Sequence, residues 1–150
     1  MAYEVSTTIE IAATPENVWA VLADLANYAK WHPVYLGVTG QLAAGSTLTI
    51  TTTHPATGRT MTAKVKVRTA EPSRELRWVS KLAGVTISER VFRLTPAAGG
   101  TSLEQAGTYR GIGGNRVRGT VNTVTRIQDS FVAINEAIKE QAEARQRASG

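Results

Sequence analysis

In the last third of the chain the apolar positions Val117, Val121, Val124, Ile127, Phe131, Ile134 and Ile138 fall three or four residues apart. That spacing draws one apolar stripe along a helix and predicts helix over about 115–144. At 1.5 Å per residue, about 30 residues make a rod of roughly 45 Å, which needs a broad apolar partner. Upstream the period drops to two. Val5, Thr7, Ile9 and Ile11 alternate with Glu4, Ser6, Thr8 and Glu10, the pattern of a half-buried strand over 3–12. Thr14-Pro15-Glu16 then reads as a helix start, with Thr14 as N-cap, proline at the first helical position and an acid in the first turn. Val18, Val21, Leu22 and Leu25 form the apolar face of this short helix, Trp19 lies at its edge, and it is expected to end near Leu25-Ala26. A second short helix or turn covers 27–31, after which Pro33 disfavours helix at His32 and sends the chain into extended structure.

Further strands are predicted over 34–39; 47–53, with Leu48 and Ile50 inward; 59–70, the longest, with Met61, Ala63, Val65 and Val67 on the buried face; 75–82, with Leu76, Trp78 and Ser80 on one side; 85–95; and 101–110. Between them stand the turn signals His54-Pro55-Ala56-Thr57-Gly58, Glu71-Pro72-Ser73, Gly84 and the break from Pro96 to Gly100. Strands joined by turns this short must be antiparallel neighbours. The expected fold is α+β: about seven strands in a curved antiparallel sheet wrapped around a long C-terminal helix, with two short helices after the first strand. Without repeats or linkers, 1–150 reads as one domain with an ordered core of about 3–146.

Composition narrows the possible chemistry. A hydrophobic fraction of 42% with 19% charged residues is that of a folded chain, and no run approaches the ~20 apolar residues of a membrane span. No secretory leader is visible at Met1-Ala2-Tyr3-Glu4, and the chain has no cysteine, so a cytoplasmic protein without stable membrane insertion is expected. Two histidines and no carboxylate cluster argue against a metal site. No cofactor is expected: Gly111-Ile112-Gly113-Gly114 lacks the Lys-Ser/Thr ending of a phosphate loop and reads as a flexible entry to the long helix. No serine stands in a nucleophile elbow. The net charge of +5 collects at Lys64, Lys66 and Arg68 and at Arg110, Arg116, Arg118 and Arg126. Neither aromatic interleaving nor a nucleic-acid motif accompanies it, so no nucleic-acid partner is expected, and the chain is expected to be a monomer or homodimer.

Ile9-Glu10-Ile11-Ala12-Ala13-Thr14-Pro15-Glu16-Asn17-Val18-Trp19, followed by Asp24-Leu25-Ala26-Asn27-Tyr28 and Trp31, resembles the opening of the START/Bet v 1-like (SRPBCC) superfamily, in particular its bacterial polyketide cyclase/dehydrase-like group. Leu76-Arg77-Trp78, Phe92-Arg93-Leu94-Thr95-Pro96 and Gly100-Thr101-Ser102-Leu103 look like that group's strand motifs. The resemblance covers essentially the whole chain. It implies the helix-grip fold, with a deep cavity between the long helix and the concave sheet sealed at one end by the two short helices. Aromatase/cyclases, lipid carriers and hormone receptors share that scaffold, so residues must decide function.

Alternation puts Ser88 and Arg90 on the face of Phe92 and Leu94. Arg90 is then a permanent cation in an apolar cavity, in need of Glu104, Glu89, water or an acidic ligand. In that reading it anchors a carboxylate, enolate or phosphate; a register one residue off sends it to solvent instead. Leu103, Gln105, Gly107 and Tyr109 share the inner face of the last strand, where Gln105 and Tyr109 either orient a ligand or complete a core. With a phenol pKa near ~10, Tyr109 donates a proton more readily than it accepts one. Trp78 and Ser80 belong to the same wall. Tyr28, Trp31, His32 and Tyr35 cluster at the expected mouth, and His32 is either a neutral-pH base or a helix-end histidine. Thr120, Thr123 and Ile127 are placed to border the cavity.

The candidate catalytic residues are thus Arg90, Tyr109 and His32, and the candidate ligand contacts are Tyr28, Trp31, Tyr35, Trp78, Ser80, Ser88, Gln105, Thr123 and Ile127. Two functions follow. One is binding of a hydrophobic small molecule: a lipid, polyketide or aromatic metabolite. The other is a cyclase-, aromatase- or dehydratase-like reaction on a poly-β-ketone, with Arg90 stabilising an enolate and Tyr109 or His32 moving protons. A regulatory interaction module using the outer basic face is the third reading.

Overall fold

Strands form where the period is two: β1 (Ala2–Ile11), β2 (Tyr35–Thr39), β3 (Thr47–Thr53), β4 (Thr60–Glu71), β5 (Glu75–Leu82), β6 (Val85–Ala97) and β7 (Gly100–Arg110). The helical segments are α1 (Pro15–Ala23), a 3₁₀ turn at Leu25–Asn27, α2 (Tyr28–Trp31) and α3 (Val121–Ser149). This computed structural model describes residues 2–53, 57–82, 84–110 and 121–149, with the backbone alone at 2–3, 82, 110 and 121–125. Residues 111–120, and with them the Gly111–Gly114 entry and Val117, lie outside the described residues, as does His54.

All seven strands join one antiparallel sheet in the order β1-β7-β6-β5-β4-β3-β2, so the chain meanders from β2 to β7 and β1 closes onto β7. Register shifts between Tyr35 and Gly37, between Val67 and Thr69, and between Ser80 and Lys81 bend it. α3 packs against β1, α1 and β7. Its side chains seal the near half of the concave face: Phe131, Ile134, Ile138 and Ala142 are buried with Val18, Leu22, Leu48, Leu76 and Leu103. This is the helix-grip arrangement.

Local chemistry explains the ends of the short helix. The Thr14 side chain accepts the Asn17 N–H, Pro15 opens α1, and α3 adds a second cap, Gln146 Oε1 accepting from the Thr14 N–H at 3.0 Å and from Asn17 Nδ2 at 2.7 Å. α3 therefore runs past the expected stop near Ala144 to Ser149, since no glycine or proline interrupts it.

Three expectations need correction. β6, at 13 residues, is longer than β4, at 12. It also continues through Pro96, which lies opposite Thr101, one residue from the strand's end and exposed, where a missing N–H costs little. Met61 and Ala63 lie on the inner side of β4 but are exposed, because α3 packs over β1 and β7, at the other end of the same face. On the outer face, Glu89 bonds Arg68 (3.2 Å) and Arg77 (2.8 Å), Glu75 joins Arg77 to Arg93, and Arg93 reaches Glu104 (2.9 Å). Of the basic stripe Lys64, Lys66 and Arg68, Arg68 is thus paired within the sheet. Among the described residues no helix is long and apolar enough to cross a membrane.

Candidate functional site

Beyond the packed half of the concave face the sheet encloses a cavity of about 180 Å³, lined by Tyr35, Ile50, Thr52, Ala63, Val65, Trp78, Ser80, Ser88, Arg90 and Tyr109, with Glu89 at its edge. Six antiparallel strands, β2 to β7, place these groups together. Trp78 stands opposite Arg90 on β5, Gly107 stands opposite Arg90 on β7, and Ser80 pairs Ser88. Thr52 also borders a groove of about 650 Å³ formed with Pro33, Val34, Leu36, Thr53, Arg126, Ile127 and Ser130.

Arg90 is the electrostatic centre of the cavity. Its Nη1 donates to Tyr35 Oη at 2.7 Å, it also hydrogen-bonds Tyr109, and its guanidinium carbon lies 4.5 Å from the centroid of the Phe131 ring. Neither acid suggested as its partner faces it: Glu89 and Glu104 are bonded to the outer arginines. Among the described residues, no carboxylate pairs with Arg90. Burial works against its charge, and Tyr35 and Tyr109 outweigh burial, so its pKa moves up and the group stays cationic. Burial likewise raises the Tyr35 pKa, partly offset by Arg90, which keeps that phenol protonated. With its oxygen accepting from Arg90, the Tyr35 O–H is left to donate.

His32 lies behind this group, stacked on Tyr35 with centroids 4.1 Å apart and planes 3° from parallel. Its Nδ1 accepts the backbone N–H groups of Val34 (3.1 Å) and Tyr35 (2.9 Å), which caps the chain as it leaves α2. Burial first, and the Arg90 charge second, push its pKa down to about 3. The imidazole is therefore neutral with its proton on Nε2, and the lone pair a base would use is already engaged. Because the folded-state pKa is below the ordinary 6.5, the unfolded chain takes up a proton that the native protein resists. Stability from His32 is complete above about pH 6.5 and is lost as pH falls toward about 3, by at most ~1.4 kcal/mol per pH unit. Urea midpoints at about pH 7 and about pH 5 should differ accordingly, and His32→Asn should flatten the difference. Burial works against the Glu75 carboxylate but Arg77 and Arg93 outweigh it, and Lys139 lowers the Glu143 pKa. Both acids therefore add stability that is complete above their ordinary 4.5 and is lost only as pH falls below it, outside this comparison.

Tyr28, Trp31, His32 and Tyr35 form one aromatic cluster, as expected, but only Tyr35 of the four lines the cavity, and the other candidates lie elsewhere. Tyr28 is buried, donates its hydroxyl to the Leu22 carbonyl and stacks on His32, away from the cavity lining. Trp31 borders a different groove, with Asp24, Lys30, Gln141 and Arg145. Gln105 faces α3, where its Nε2 donates to the Phe131 carbonyl (3.1 Å) and to Asn135 Oδ1 (2.7 Å). Ile127 belongs to the outer groove, and the side chain of Thr123 lies outside the described residues. Phe131, Asn135 and Gly107 are contacts that periodicity alone read as core or left unassigned. Among the described residues no three metal-ligating side chains come together.

A family model described as polyketide cyclase/dehydrase and lipid transport matches residues 2–143. No curated protein matches the chain. Of the solved structures, the Zhui aromatase/cyclase from Streptomyces sp. R1128 has a TM-score of 0.74 at 20% identity, covering 100% of this chain and 99% of that one. The di-domain ARO/CYC StfQ from the steffimycin biosynthetic pathway has a TM-score of 0.77 at 13% identity, covering 97% of this chain and 52% of that one. Protein NE0264 from Nitrosomonas europaea has a TM-score of 0.77 at 13% identity, with 96% of each chain covered. At these identities the likeness is one of fold.

Proposed function

Because the chain belongs to the polyketide cyclase/dehydrase and lipid-transport family, we propose that it binds a hydrophobic small molecule, of aromatic or polyketide type, with an acidic or enolic oxygen held by Arg90. One observation carries this reading: a guanidinium on the concave face, beside a cavity, whose partners are two phenols and an aromatic ring rather than a carboxylate. A desolvated cation of that kind is matched by an anionic ligand oxygen. Tyr35, Tyr109, Ser80 and Ser88 supply further hydroxyls, and Trp78, Ile50 and Val65 supply apolar walls. At about 180 Å³ the inner cavity is small for a drug-sized guest and suits a compact one.

A cyclase-like reaction is the second reading, and the observation in its favour is the same trio. A guanidinium and two phenols stabilise developing negative charge on an enolate oxygen and offer protons to it. With Nδ1 of His32 occupied, the cluster is better suited to holding an enolate than to creating one.

Titration with 2-naphthoate and with 2-methylnaphthalene, followed by fluorescence of the buried Trp78, tests the proposal. The acid is expected to bind about tenfold or more tightly than the neutral ring, as a hydrogen bond to a charged group contributes about 1.5–3 kcal/mol. Equal affinity would remove the role of Arg90. Binding of neither, with no small molecule released from the purified protein, would remove the ligand-binding reading.

A further inference from the structure

Behind Arg90 and Tyr109, two residues of the cavity wall, a side chain fills a place shaped for a ring. A Cβ on Gly107 would lie 2.8 Å from Phe131 Cζ and 3.3 Å from both Phe131 Cε2 and Tyr109 Oη, so the ring edge rests directly on bare backbone. On its other side stands the Arg90 guanidinium, 4.5 Å from the ring centroid. A π-face against a cation and an edge against glycine make the contacts that an aromatic guest would make beside Arg90, and here the chain supplies the ring itself.

Next to that seat, two fully buried amides have partners for only half their polar atoms. Gln105 shares the inner face with Gly107, two residues along β7, and Asn135 lies one helical turn beyond Phe131. Gln105 Nε2 directs its two protons to the Phe131 carbonyl and to Asn135 Oδ1. Gln105 Oε1 and Asn135 Nδ2 have no partner among the described residues. An acceptor and a donor left over in an otherwise apolar core need an explanation. A hydroxyl or keto oxygen on a guest reaching this depth satisfies one or both.

We propose that Phe131 is a specificity-determining residue: its ring fills the space over Gly107 behind Arg90, and a smaller residue there opens the cavity inward to admit a ligand one ring longer, its far end meeting Gln105 and Asn135. This rests on the reading that Arg90 holds an aromatic acid. The residue at 131 then sets ligand length while Arg90 sets ligand charge.

Dissociation constants of 2-naphthoate and of anthracene-2-carboxylate, measured for the unaltered chain, Phe131→Leu and Phe131→Ala, provide the test. The unaltered chain is expected to prefer the two-ring acid. In both variants the ratio of the two constants is expected to shift about tenfold or more toward the three-ring acid, since one further buried ring adds well over the 1.4 kcal/mol that a tenfold change represents. Should Phe131→Ala fail to fold, Phe131→Leu carries the comparison, as it keeps most of the buried apolar volume. A ratio that stays put in a folded variant, or a parallel loss for both acids, overturns the proposal while leaving Arg90 as the anchor. Absence of binding by either acid to any form overturns both.

Discussion

Arg90→Met is expected to lose at least about tenfold in affinity for 2-naphthoate while the unfolding free energy changes by less than about 1 kcal/mol. Methionine keeps a long unbranched stem, so the wall of the cavity keeps its shape. What disappears is a half-buried charge that folding has partly desolvated without giving it a carboxylate, since Glu89 and Glu104 are held on the outer face by Arg68, Arg77 and Arg93. Replacing such a charge with an apolar group recovers desolvation energy. Against that stand the contact with the Phe131 ring, about 0.5–2 kcal/mol, and the hydrogen bond to Tyr35. These terms oppose one another in stability and add in binding. A cation present for the ligand therefore shows a large binding loss with little change in stability. Strong destabilisation with unchanged affinity would instead make Arg90 a structural residue.

Ile138→Ala is expected to produce the opposite split. Ile138 is fully buried among the apolar residues where α3 meets the sheet and α1. Truncating it removes transfer energy and leaves a cavity, a loss of about 2–5 kcal/mol from a total that is typically about 5–15 kcal/mol. Urea unfolding should show the midpoint falling with an unchanged slope. The folded fraction should bind 2-naphthoate as before, because Ile138 lies in the packed half and takes no part in the cavity lining. A loss below about 1 kcal/mol would mean that α3 is not seated on the core at this turn.

Much of the site was legible because a strand's period is two. Once Phe92 and Leu94 were read as inward, Arg90 and Ser88 had to share their face, and the same reasoning placed Trp78, Ser80 and Tyr109 on one wall, where the cavity lies. Tyr28 and Trp31 show the limit of that reasoning. The two rings do pack together, 5.0 Å apart and next to His32, but Tyr28 turns into the core and Trp31 borders another groove. The aromatic cluster therefore stands beside the cavity, and only Tyr35 enters its lining. For Gln105 the inner face was legible but not its target, because Phe131 and Asn135 lie 26 and 30 residues away along the chain. Alternation turns Met61 inward, but it reports which side a residue faces, not whether anything lies over that side, and Met61 is exposed.

What the sequence by itself determined is therefore local: the strands and their inward faces, the capped start of α1, the apolar stripe of α3, and the antiparallel order that short turns impose. Only the tertiary structure decided that Arg90 meets phenols and a ring instead of an acid, that His32 turns Nδ1 to the backbone, and that Phe131 fills the place over Gly107. Periodicity follows from bond geometry within a few residues, whereas these contacts depend on where a bent sheet carries side chains that are tens of residues apart.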